Sequence, residues 1–215
     1  MFEIFYLVIF ILSTVVHLYA SAKKNKKLRN VTKPFILISL LGYYAASTVD
    51  VRLTVVLALI FSWIGDLLLI PNGVKWFTMG GISFMISHAF FALSYYPAID
   101  FSCINPVVIA VLAVIYITAV VIIFKKLRPH LPKPLFYPMF LYLLINGTMN
   151  CFAIFRMLTA TCLPTILTCI GAVLFFISDT TLFFVRFNKE SKIKTHFWVM
   201  LTYSIGEFLI VCGLI

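Results

Sequence analysis

The amino-acid sequence predicts an all-α fold, a polytopic transmembrane helix bundle of about eight spans within a single integral membrane domain covering residues 1–215. Three observations predict it. Hydrophobic residues make up 63% of the 215 and charged residues only 11%, where a soluble domain carries about a quarter charged. A mean hydropathy of +1.09, with 22 Phe and 10 Tyr, excludes a disordered chain, which lacks the apolar surface to collapse. The apolar residues also fall into runs divided by charge or proline, and the basic residues gather in alternate gaps between those runs.

A hydrocarbon core about 30 Å thick takes roughly 20 apolar residues as a helix. Runs of this kind lie near 2–20, 34–49, 51–70, 77–96, 104–124, 135–155, 161–185 and 197–215. The first passes directly from Met1-Phe2-Glu3 into its apolar stretch; with no basic segment ahead of it, it reads as a retained span rather than a cleaved signal peptide. The second opens at Lys33-Pro34 and is short, divided from the third only by Asp50 and Arg52. Proline suits a first helical turn. The fifth ends at Lys125, the sixth opens after Lys133-Pro134 and stops before Arg156, the seventh stops before Arg186, and the eighth follows His196.

The net charge of +10 arises from 17 Lys+Arg against 7 Asp+Glu, and position decides what it means. The loop after the first span holds Lys23, Lys24, Lys26, Lys27, Arg29 and Lys33; those after the third, fifth and seventh hold one, four and four basic residues. The other three loops hold only Arg52 and Arg156. By the positive-inside rule the basic loops are cytoplasmic and both termini lie outside. The charge is thereby a topology signal, and no nucleic-acid partner is expected. Short loops and a compact N-terminus favour a bacterial plasma membrane. The five cysteines, Cys103, Cys151, Cys162, Cys169 and Cys212, are odd in number, scattered and without C-x-x-C spacing, so they read as small packing residues rather than disulfides or metal ligands.

An internal echo points to two four-helix halves of like orientation. Lys33-Pro34 is matched by Lys133-Pro134, and Ser62-x-x-Gly65-Asp66 in the third span by Ser178-Asp179 in the seventh.

A carboxylate inside a span is expensive unless paired, protonated or facing water, so intramembrane acids are functional candidates. Asp66, Asp179 and Glu207 qualify. At 1.5 Å per residue they lie roughly 6, 10 and 15 Å from the cytoplasmic ends of their helices. Ser62 and Asp66 share a face at i and i+4; Gly80, Phe84 and His88 continue at that step on the fourth span, Asn146 and Asn150 on the sixth, Tyr203 and Glu207 on the eighth. A polar cavity opening toward the cytoplasmic leaflet would take all of them without facing any to lipid. Taken singly, Ser62, Asn146 and Asn150 also fit interhelical hydrogen bonding, and Gly65, Gly80 and Gly81 fit close helix contact. Asp66 and Asp179, at similar depth, are hard to justify by stability alone.

Several motifs fail on context. Asn146-Gly147-Thr148 matches a glycosylation acceptor but lies inside a span, and Asn30-Val31-Thr32 falls on the cytoplasmic side. No Gly-rich phosphate loop, Gly-x-Ser-x-Gly elbow or His-Glu-x-x-His is present. A serine triad of Ser62, His88 and an aspartate is conceivable, but no spacing singles it out.

The run Ser62-Trp63-Ile64-Gly65-Asp66-Leu67-Leu68-Leu69, followed by Phe77, Gly80, Phe84 and His88, resembles the central signature of the YhhN-like lysoplasmalogenase family. Thr32-Lys33-Pro34, Phe176-Ile177-Ser178-Asp179 and Thr202-Tyr203 leading to Glu207 resemble it too, in order and on the expected spans. Glu207 departs from the glutamine common in the family. The resemblance implies an eight-span enzyme that hydrolyses the vinyl ether bond of lysoplasmalogens, releasing a fatty aldehyde and a glycerophospho-base. Its partners would be a lysophospholipid substrate and the bilayer, with no cofactor and no metal. Such chemistry needs a proton for the β carbon and a carboxylate to stabilise the oxocarbenium ion or activate water, as in glycoside hydrolysis. On this reading Asp66 and Asp179 form the catalytic acid/base pair. Ser62, His88, Asn146, Tyr203 and Glu207 position water or substrate, and Lys33 contacts the head group.

Two rival readings share the same residues. In one, His88, Asp66 and Asp179 hold a zinc ion in a metal-dependent intramembrane lipid hydrolase. In the other, the acids relay protons in a non-enzymatic small transporter or lipid-binding membrane protein.

Overall fold

A computed structural model describes residues 2–188 and 196–215, and among them every regular element is helical. Eight α-helices follow one another: α1 (Phe2–Ala22), α2 (Lys26–Ser47), α3 (Leu53–Leu68), α4 (Val74–Tyr95), α5 (Pro106–Leu127), α6 (Phe136–Thr159), α7 (Leu163–Phe187) and α8 (His196–Cys212). The chain is an all-helical membrane bundle in which α1, α4, α5, α6 and α7 are long and apolar enough to cross a bilayer. The shorter α3 and α8, of 16 and 17 residues, are apolar as well. Three of the four basic residues expected after the seventh span, Lys189, Lys192 and Lys194, lie outside the described residues.

The element boundaries correct the sequence reading most at the second span. Helix α2 starts at Lys26, where Asn25 caps it by accepting from the Leu28 N–H, so Pro34 lies well inside the helix rather than in its first turn. An N-cap asparagine satisfies one of the unpaired N–H groups of a first turn, which lets the helix begin ahead of the apolar run. Pro134 differs from Pro34 in kind, because it lies in a short 3-10 turn (Lys133–Leu135) ahead of α6. The proline half of the internal echo therefore does not hold.

Successive helices pack as hairpins, α1 with α2, α3 with α4 and α7 with α8, while α4 joins the halves by packing on α6. The core, with Leu37, Leu40, Leu59, Phe91, Met149, Phe175 and Ile210 fully buried, runs between these elements. Helix α5 stands at the rim, burying only Val120 and Leu127. A helix apolar all round suits lipid on its outer face. The tightest crossing is α7 on α8: a Cβ at Gly171 would stand 2.6 Å from the Gly206 carbonyl oxygen, and one at Gly206 would stand 2.9 Å from that of Gly171. Backbone cannot rotate out of the way, so this approach depends on both glycines.

One end of the bundle gathers most of the described basic residues and is called the basic end below. The two arginines of the opposite end close the last turn of α8. Arg52 donates to the carbonyls of Leu214 and Ser94, and Arg156 donates to the carbonyl of Gly213 and the Thr168 hydroxyl. Cations there meet the unpaired carbonyls and the negative dipole end of a helix.

Candidate active site

Two carboxylates, one from each half of the chain, line one cavity of about 70 Å³ near the basic end. Water needs roughly 10–15 Å³ of such space, so the cavity takes a few waters or one small reacting group. Asp66 projects from α3. Its Oδ1 lies 3.1 Å from Lys33 Nζ of α2, and its Oδ2 accepts from the Tyr203 hydroxyl of α8 at 3.0 Å. Asp179 projects from α7. Its Oδ2 accepts from the Tyr142 hydroxyl at 2.5 Å and the Asn146 side-chain amide at 2.7 Å, both on α6.

His88 Nε2 on α4 completes this set, 3.1 Å from Asp179 Oδ2 and 3.2 Å from the Tyr142 oxygen. The Tyr142 proton is committed to Asp179, so both oxygens can only accept, and Nε2 is the protonated ring nitrogen. Every donor to Asp179 thus converges on Oδ2. Among the described residues none reaches Oδ1, the oxygen left for a ligand. Behind Asn146 the order continues outward: Asn150 donates to Asn146 Oδ1 at 3.0 Å and accepts from the Tyr116 hydroxyl of α5 at 3.3 Å. This chain fixes the Asn146 amide with its donor toward the carboxylate.

The pattern crosses between the halves. α4 supplies His88 to the aspartate of α7, and α8 supplies Tyr203 to the aspartate of α3. Phe84, Phe175, His88 and Tyr203 pack edge to face between the two sets. Their faces hold the polar side chains in place without competing for hydrogen bonds.

A wider basic vestibule of about 250 Å³ opens on the cavity, sharing with it His17, Arg29, Lys33, Leu69, Arg186 and His196. Lys26 adds another cation, and among the described residues no Asp or Glu lines the vestibule. Lys33 is matched by Asp66; the excess of cations over the described acids around it draws a phosphate, and arginine matches that group in geometry as well as charge.

The YhhN family model matches residues 28–214, from the start of α2 to the end of α8. The chain belongs to the YhhN family. No curated protein matches it, and no solved structure does.

The residues singled out in this YhhN family member fall into two groups. Asp66, Asp179, His88, Asn146, Tyr203 and Lys33 come together as described. Lys33, expected to meet a head group only, is also the ion-pair partner of Asp66. His88 and Asn146 reach the cavity only through Asp179 and do not line it, and Ser62 and Glu207 neither line it nor bond to either aspartate. The Ser62 hydroxyl bonds to that of Ser87 at 2.7 Å, away from His88, so no serine triad forms. Glu207 is fully buried beside Ser62, and among the described residues neither of its oxygens makes a well-formed hydrogen bond. Two groups belong to the site although the sequence reading passed over them: Tyr142, and the vestibule cations Arg29 and Arg186. Tyr142 shares the i, i+4 face of Asn146 and Asn150, the one signal that would have found it. Among the described residues no three His, Cys, Asp or Glu side chains stand together as metal ligands.

Proposed function

We propose that this YhhN family member is a membrane hydrolase that cleaves the vinyl ether bond of lysoplasmalogens to a fatty aldehyde and a glycerophospho-base. The observation that carries this reading is the pair Asp66 and Asp179, brought from separate helices to one cavity beneath a basic vestibule. Phosphate fits the vestibule, and the reacting bond then lies between the carboxyl groups. With Oδ2 of Asp179 held by three donors, a proton on this carboxyl sits on Oδ1 and passes to the β carbon of the vinyl ether. The double bond is lost and an oxocarbenium ion forms. Asp66, its charge matched by Lys33, accepts a proton from the water that adds to that ion. The hemiacetal collapses as Asp66 passes its proton to the glycerol oxygen and the hemiacetal hydroxyl gives its own to Asp179, which releases aldehyde and alcohol and restores both carboxyl groups. Atoms balance with one water consumed.

The basic end is read as cytoplasmic and both termini as external because most of the described Lys and Arg residues gather at that end, and the short loops favour a bacterial plasma membrane. Lysoplasmalogen from the inner leaflet would then meet the vestibule directly.

The test is aldehyde release by the purified protein in detergent. Wild type is expected to turn over lysoplasmalogen. Asp66→Asn and Asp179→Asn are each expected to lose on the order of 100-fold or more in kcat, the scale of acid–base catalysis, while remaining inserted and monodisperse. Near-normal turnover by either variant would overturn the assignment.

A further inference from the structure

The carboxylate cavity has a second neighbour besides the vestibule. Between α4 and α6 runs an apolar slit of about 20 Å³, lined by Thr78, Gly81, Met85, Pro138 and Met139, with Ile82, 44% exposed, at its outer rim. A constriction of about 10 Å³ lies between the slit and the site. Phe77, Gly81, Tyr142 and Phe183 line both slit and constriction. Leu69, Phe77, Phe84 and Asp179 line both constriction and cavity. The vestibule, the carboxyl groups and the slit are therefore neighbours in series, from a cationic end to an apolar flank.

Gly81 is the feature that packing does not explain. A Cβ at neighbouring Gly80 would meet Leu69 at 3.0 Å, whereas a Cβ at Gly81 has nothing within 4 Å. A side chain fits at Gly81 and none is there, although glycine inside a helix is less stable than alanine. What the glycine keeps open is the mouth of the slit, closed on its inner side by the rings of Phe77 and Phe183, which meet edge to face at 5.6 Å.

We propose that the opening beside Gly81 admits the hydrocarbon chain of a single-chain phospholipid from the bilayer, its phosphate lying in the vestibule among Arg29, Lys33 and Arg186. The inference deepens the hydrolase reading and rests on it for the reacting bond, though the chain site itself requires only that such a lipid bind. The order of groups fits. In a lysoplasmalogen the chain continues from the β carbon, and Asp179, assigned to protonate that carbon, is the aspartate that lines the constriction. The chain never crosses the cationic vestibule, and the phosphate never enters the slit. The rings of Phe77 and Phe183 turn aside to pass it.

Photolabelling separates this inference from the reading it rests on. A 1-acyl lysophospholipid bearing a diazirine in mid-chain, irradiated with the protein in nanodiscs, is expected to label peptides of α4 and α6. Gly81→Leu fills the mouth, and Gly81→Ala is the milder variant. Labelling should fall with side-chain size while the melting temperature holds or rises. The ratio of kcat/KM for long over short vinyl ether chains should fall about tenfold in Gly81→Leu, the scale on which a blocked apolar pocket discriminates. Undiminished labelling of α4 and α6 in Gly81→Leu, or labelling confined to the α5–α6 face, overturns the chain site even if aldehyde is released. If wild type releases no aldehyde yet loses the label on substitution, the hydrolase reading fails and the chain site stands.

Discussion

Asp66 and Asp179 were legible in the sequence because a carboxyl group inside an apolar run has few inexpensive explanations. Tyr142 was not singled out, since among 22 Phe and 10 Tyr its mark is only the i, i+4 face it shares with Asn146 and Asn150, and its role emerges once its hydroxyl is seen on Asp179. Hydrogen bonds to charged groups contribute about 1.5–3 kcal/mol, so Tyr142→Phe is expected to lower kcat by roughly tenfold or more, with a smaller change in KM. Steady-state kinetics of aldehyde release check the split. Lys33 and Asp66 make a sharper case. Removing one partner of a buried ion pair costs about 3–5 kcal/mol because the other charge is stranded, whereas removing both is often nearly neutral. Lys33→Met should therefore melt lower than the double variant Lys33→Met/Asp66→Asn in the same detergent, and the reverse order would mean the pair is solvated. Glu207 belongs to neither set: it lies off the cavity beside Ser62, and Glu207→Gln is expected to keep turnover within about threefold, because no catalytic contact is lost.

At the scale of the element, charge and hydropathy placed the helices better than they placed helix ends. The apolar run 34–49 lies within α2, but the helix extends to Lys26 because a cap, not hydropathy, sets its start. That extension carries Arg29 and Lys33 up one helix flank into the vestibule, an arrangement that a loop placement of these residues would not reveal. Glycines divide in the same way. Close packing was a fair expectation for Gly65 and Gly80, where a Cβ would stand 2.7 Å from the Phe84 ring and 3.0 Å from Leu69. The close backbone approach at Gly171 and Gly206 carries no signal beyond the residue type itself. Gly206→Val is expected to separate α7 from α8 and to destabilise by about 1–3 kcal/mol, the usual cost of overpacking. Thermal unfolding in detergent should show the fall. Gly81→Ala, where space is open, should show none.

The whole molecule inverts the polarity of a soluble bundle, setting apolar side chains outward and the carboxyl groups of Asp66 and Asp179 into one off-centre cavity. The crossing of His88 to Asp179 and Tyr203 to Asp66 shows why the site was only partly readable: each carboxyl group is completed from the other half of the chain, and no local spacing encodes that meeting. Charge asymmetry along the chain, by contrast, was fully legible, and the two basic residues that depart from it, Arg52 and Arg156, bind carbonyls at the end of α8. Their placement ties that end together without any need for cytoplasmic exposure, which leaves the positive-inside argument intact. The orientation it implies can be read with native thiols. Cys103 and Cys162 are exposed, both at the end opposite the vestibule. Thr165 lowers the Cys162 thiol pKa through hydrogen bonds from its backbone and side chain, which raises the thiolate fraction at neutral pH and carries its reactivity to lower pH. A membrane-impermeant maleimide added to intact cells is expected to label both residues, with Cys162 still reacting as the medium is made mildly acidic. In a variant without these two cysteines, a thiol introduced by Lys75→Cys, in the exposed first turn of α4 at the basic end, should react only after permeabilisation. Labelling in the opposite order would place the vestibule outside, and a lipid substrate would then have to approach from the outer leaflet.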